Sequence, residues 1–116
     1  MRVEKIHDIL PLGEGTFVLV DRLWPRGIAK QDFAPALWAK GAAPSSSLRQ
    51  WVHAGGDWDE FARRYRDELD ASLDDADVQA LIELARSKEL TLVYASKDRQ
   101  RNHAHVLAKW LADRVK

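Results

Sequence analysis

The sequence predicts an α/β domain, a small and mainly parallel sheet of about three strands flanked by helices, and three observations predict it. Two continuous apolar runs, FVLV at residues 17–20 and LTLVYA at 90–95, read as strands buried on both faces. The long excursion between them carries helical periodicity and suits the crossover that parallel neighbours require. The first run passes abruptly into Asp21, Arg22, Trp24, Pro25, Arg26 and Gly27. That is how a buried strand ends at a site, because ligands of open α/β sheets gather at the carboxyl ends of strands.

In chain order, residues 3–9 (VEKIHDI) alternate imperfectly and predict a first strand, with Pro11, Gly13 and Gly15 marking the turn that follows. Residues 17–21 are the second strand and 27–33 a loop. Residues 34–40 read as a short helix with Pro35 in its first turn and Gly41 as its stop. Ser45 or Ser46 caps the next helix, which carries Leu48, Trp51 and Val52 and ends at Gly55-Gly56. Asp57 and Glu60 have capping-box spacing, and Trp58, Phe61, Ala62, Tyr65 and Leu69 recur on one helical face. Asp74 or Asp75 caps another helix with Val78, Leu81, Ile82 and Ala85 inward, and Arg86 and Lys88 near the negative end of its dipole. After the strand at 90–95, residues 96–101 form a polar loop. From Asn102, the residues Ala104, Leu107, Ala108, Leu111 and Val115 make a last apolar face. The periodicity places Trp58, Phe61, Tyr65, Leu81, Ile82, Leu92, Leu107 and Leu111 in the core.

Composition sets the class. A chain of 116 residues with 46% hydrophobic and 31% charged content predicts one soluble domain with its own core. No apolar run approaches a bilayer span, no signal-like segment stands at the N-terminus, and the cytoplasm is the expected compartment. Zero cysteines exclude disulfides, thiolate metal sites and cysteine nucleophiles. The formal net charge is zero but unevenly spread: residues 57–89 hold 5 basic against 11 acidic side chains, and residues 90–116 hold 6 against 2. Either the acidic block is the solvated face of helices, or the basic ends line a positive cleft.

If the strands at 17–21 and 90–95 are parallel neighbours, Asp21 and Arg22 come beside Ser96, Lys97 and Asp98, near Asn102 and His103. Arg22, Arg26 and Lys97 are then candidate anion ligands, because guanidinium forks match phosphate or carboxylate oxygens and an ammonium adds charge. Salt bridges to Asp21 and Asp98 are the alternative. The amides opening the last helix would reinforce an anion site. His103 can act as acid or base near neutral pH with Asp21 orienting it, or stand as an ordinary hydrogen-bonded histidine. Trp24 either stacks on a planar ligand or packs beneath its loop. Trp38 and Trp51, flanked by Lys40 and Arg49, are candidates for the opposite wall. No histidine spacing signals a metal, and there is no phosphate-binding loop or dinucleotide fingerprint. Ser45-Ser46-Ser47 lacks a nucleophile elbow and reads as a cap.

VLVDRLWPRG, the pair Trp38 and Lys40, APSSSLRQW, the set Trp58, Phe61 and Tyr65, and LVYASKD with NHA resemble, in order from about Thr16 to Leu111, the YeaO-like family, domain of unknown function family 488. The resemblance implies a small bacterial cytoplasmic protein without established activity. The residues themselves point to a protein that binds a phosphorylated or carboxylated small molecule at the sheet edge. Arg22, Arg26, Lys97, Lys40, Arg49 and Trp24 would hold the ligand, and His103 with Asp21 would handle a proton, with no metal and no cofactor implied. A nucleotide or single-stranded nucleic-acid module, or a structural protein with tryptophan-rich interfaces, is the alternative; zero net charge disfavours extensive nucleic-acid contact.

Overall fold

In the computed structural model, which describes residues 1–86 and 89–115, a four-stranded parallel sheet carries helices and a long loop. The strands are β1 (Arg2–Lys5), β2 (Thr16–Leu19), β3 (Leu37–Trp38) and β4 (Leu90–Tyr94), ordered β1-β4-β2-β3. The helices are α1 (Ile6–Ile9), α2 (Ser46–His53), α3 (Trp58–Asp70), α4 (Ala76–Leu84) and α5 (His103–Arg114), with a 3-10 turn at Lys40–Ala42. β4 lies between β1 and β2, pairing Val3 and Val18 with Leu92. The two apolar runs are therefore parallel neighbours, and their chain exits share one edge.

Both faces of the sheet are covered. Val18, Val20, Leu92 and Tyr94 face a cluster with Phe61, Tyr65, Leu81, Leu107 and Leu111 from the helices. Phe17, Leu19 and Val93 alternate to the other face, where Ile6 and Phe33 are buried, Trp24 packs from the loop between β2 and β3, and Trp38 packs from β3 itself. Six of the eight expected core residues are buried; Trp58 and Ile82 are only partly so.

Caps are local chemistry and fall where the sequence puts them. Ser45 accepts from the Leu48 amide at 3.2 Å, Asp57 from that of Glu60 at 2.9 Å, Asp75 from Asp77 and Val78, and Asn102 from His105. The expected capping box is only half made, because the Glu60 carboxylate turns to Arg63 and Arg64. Arg86 pairs with Glu83; Lys88 lies outside the described residues.

Two expectations are corrected. The first strand stops at Lys5, and residues 6–9 coil into one helical turn that buries Ile6 at the second face of the sheet. The short helix expected at 34–40 is instead β3. The amides of Ala36 and Ala39 donate to Phe17 and Leu19 carbonyls, both at 2.8 Å, which satisfies the chain by pairing with β2 before any helix can form. Pro35, with no amide to donate, is tolerated beside an edge strand. Gly41 ends no helix; it lies within the 3-10 turn and donates its amide to Asp77 at 2.8 Å.

Candidate functional site

β2 ends at Leu19, and Val20 still donates its amide to the Val93 carbonyl at 3.1 Å, so Asp21 is the first residue released from the sheet. Its Oδ2 accepts from the Ala95 amide at 3.0 Å, tying the exit of β2 to that of β4. His103, the first residue of α5, brings Nε2 within 3.0 Å of Asp21 Oδ1 and 2.9 Å of the Val20 carbonyl. A carbonyl only accepts, so Nε2 carries a proton, and that proton is directed at Val20. Asp21 Oδ1 is consequently buried without a well-directed donor among the described residues. The His103 ring meets Tyr65 edge-on at 6.3 Å. The Tyr65 hydroxyl donates to the Ala42 carbonyl, and burial first, then the nearby Glu68 and Asp21 charges, pushes its phenol well above the ordinary value.

Above this buried layer, a cavity of about 540 Å³ opens between the loops leaving β2 and β4 on one side and α2 with the start of α3 on the other. Of the residues singled out in the sequence, Asp21, Arg22, Trp24, Arg26, Arg49, Lys97 and His103 border it, and Lys40 does not. Lys40 instead holds its ammonium 3.9 Å from the centre of the Trp38 ring. Trp38 and Trp51 are not on the wall either: Trp38 donates to the Asp21 carbonyl at 2.7 Å, and Trp51 lies under the Arg64 guanidinium.

Arg22 spends Nε and one terminal nitrogen on the carbonyls of Pro44, at 3.3 and 3.2 Å, and Ala43, at 3.4 Å. Trp24 packs beneath its loop, as one reading of it expected: its indole N–H donates to Ile28, and its ring lies 5.6 Å from Phe33 and 5.4 Å from Trp38. Arg26, Arg49 and Lys97 are exposed at the cavity and form no ion pair or side-chain hydrogen bond among the described residues. Asp98 is exposed and also borders the cavity, and the Arg101 and Gln100 amides of its own loop hold its carboxyl below the usual range. Arg99 pins the same loop to Asp8 at 3.0 Å.

No motif or spacing signals that His53, Val52, Trp58 and Phe61 form the opposite wall, since only the packing of α2 and α3 across the sheet edge brings them there. Arg101 also borders the cavity and could have been found in the basic loop KDRQR. Among the described residues no group of three or more histidine or acidic side chains is placed to hold a metal ion. No described helix is long and apolar enough to cross a membrane.

The family model described as "Inactive DUF488-N3 subclade" matches residues 1–116. The chain is 40% identical over 115 residues to "Uncharacterized protein Rv3073c" of Mycobacterium tuberculosis, covering 98% of this chain and 95% of that one. It is 38% identical over 112 residues to "Uncharacterized protein YeaO" of Escherichia coli, covering 96% of each. No solved structure matches.

Proposed function

Taking as premise that the chain belongs to the YeaO-like DUF488 family, within the subclade described as inactive, we propose that it is a binding module for a small phosphorylated or carboxylated molecule held in the cavity at the sheet edge. One observation carries this reading. Arg26, Arg49 and Lys97 come from three separate segments to one cavity, and none is paired with a carboxylate among the described residues. Surface cations that serve solubility alone are normally interspersed with acids. Three converging on a concave site with an apolar wall match the usual form of a ligand pocket, in which a few placed charges orient the occupant.

Binding without turnover fits better than proton transfer. The Nε2 proton of His103 is directed at the Val20 carbonyl and Asp21 Oδ2 accepts from the Ala95 amide, so each group already joins separate segments of the sheet edge. The nucleic-acid alternative has no comparable support, because the cavity is concave and the net charge is zero.

Calorimetric titration with inorganic phosphate, benzoate, phenyl phosphate and a short oligonucleotide tests the reading. Saturable one-site binding of the small anions is expected. It should be lost in Arg26→Ala while the melting temperature of the unliganded protein stays unchanged, since an exposed charge contributes only about 0–1 kcal/mol to stability. Tight oligonucleotide binding that weakens steeply with salt would assign the cations to a nucleic-acid surface instead.

A further inference from the structure

Resting on the anion-binding reading above, we infer that the occupant is amphipathic, a flat apolar body bearing one terminal anionic group, and that Trp58 rather than Trp24 is the surface on which the body lies. The cavity is layered by chemistry. Its exposed rim carries Arg26, Arg49 and Lys97, and its depth is walled by Val52, Trp58 and Phe61. An inorganic anion needs only the rim. A volume of about 540 Å³ lies instead within the range of roughly 300–1,000 Å³ that encloses organic ligands.

Trp58 sits on the apolar face of α3 and should be as buried as Phe61 and Tyr65, yet it remains partly exposed where it borders the cavity. Phe61 stacks on it at 4.8 Å and 28°, which fixes the plane of the indole before a ligand arrives. Trp24 is unsuited to this role: its N–H is consumed by Ile28, and Phe33 and Trp38 crowd its ring. Leu23, on the facing loop, is 65% exposed at the cavity. A large aliphatic side chain held in water across the same cavity as an indole gains from an apolar body entering there.

The test compares inorganic phosphate, phenyl phosphate and the uncharged benzyl alcohol by calorimetry, with tryptophan fluorescence as a second readout. Phenyl phosphate should bind about tenfold or more tighter than inorganic phosphate, and benzyl alcohol, without a charge for the rim, should bind more weakly than phenyl phosphate. In Trp58→Leu the advantage of phenyl phosphate over inorganic phosphate should disappear, along with the fluorescence change, while affinity for inorganic phosphate is retained. Should that variant fold poorly, Leu23→Ala, at an exposed position, should reduce the same advantage severalfold without altering the melting temperature. Equal binding of the two phosphates, unaffected by either variant, would overturn the amphipathic occupant and leave the anion site standing. Failure of every anion to bind would overturn both.

Discussion

Arg22 lies at the same cavity as Arg26 but should behave oppositely when removed. Its guanidinium is held by three long hydrogen bonds of 3.2–3.4 Å to the Ala43 and Pro44 carbonyls, joining the exit of β2 to the turn that precedes α2. Ala43 and Pro44 are buried, so Arg22→Ala strands their carbonyls where water reaches them poorly. An orphaned buried acceptor costs about 1–3 kcal/mol, and the length of these bonds argues for the lower half of that range. In a domain of this size each kcal/mol shifts the melting temperature by roughly 3–6 °C, so a fall on the order of 5–10 °C is expected. Arg22→Lys keeps the charge and one donor but loses the planar fork, and should fall between the two. Thermal melts of the unliganded proteins by circular dichroism give the stabilities, and phosphate titrations run beside them give the binding. If Arg22→Ala melted with the wild type yet no longer bound phosphate, the clamp would be refuted and Arg22 would join Arg26 as an anion ligand.

Three further substitutions probe the same geometry. Tyr65→Phe should cost about 1–3 kcal/mol in urea unfolding, because it leaves the Ala42 carbonyl without its buried donor. The raised phenol of Tyr65 contributes stability that is complete below its ordinary value of 10.0 and lost as pH climbs through the higher folded value, so the alkaline fall in stability should be shallower in the Phe variant. Gly41→Ala would drive a Cβ into the Asp75 carboxylate, the cap of α4, and loss of that cap should cost about 0.5–2 kcal/mol by the same assay; an unchanged midpoint would show that the carboxylate swings clear. Glu60, held down to about 2 by Arg63 and then Arg64, contributes stability present above its ordinary 4.5 and lost as pH falls toward 2, so Glu60→Gln should flatten the acid limb of the stability profile in that window.

What the sequence reveals follows from how local the determining interaction is. Ser45, Asp57, Asp75 and Asn102 each cap within three residues of themselves; spacing picks out Asp57, narrows two others to Ser45 or Ser46 and Asp74 or Asp75, and marks Asn102 only as the start of the last apolar face. The parallel pairing of β2 with β4 is long-range, but two uninterrupted apolar runs with a helical crossover leave few other arrangements, so Asp21 and His103 could be brought together on paper. β3 offered no such handle. Two residues following Pro35 carry no period, and only the open edge of β2 makes Leu37 and Trp38 a strand. The fate of Trp24 rests on a bond to Ile28 and on ring contacts with Phe33 and Trp38, which depend on the loop's tertiary packing and not on any local period. The wall made by Val52 and Trp58 depends on how α2 and α3 cross the sheet edge, which amphipathic periodicity does not specify.

The division of labour within the cleft also bears on why binding is favoured over catalysis. A general base must present a lone pair or proton to the occupant at hydrogen-bond distance. Here Asp21 Oδ1 is buried beside His103, Oδ2 is taken by Ala95, and the Nε2 proton faces the Val20 carbonyl, so these groups join β2, β4 and α5 to one another. The groups left facing outward at the cavity are Arg26, Arg49 and Lys97. The parallel register of β2 against β4 sets where the Val20 carbonyl stands, and with it where the His103 ring is held. On the proposed reading, changing the anion would need only substitutions at Arg26, Arg49 and Lys97, which stand on exposed loop and helix positions outside the sheet.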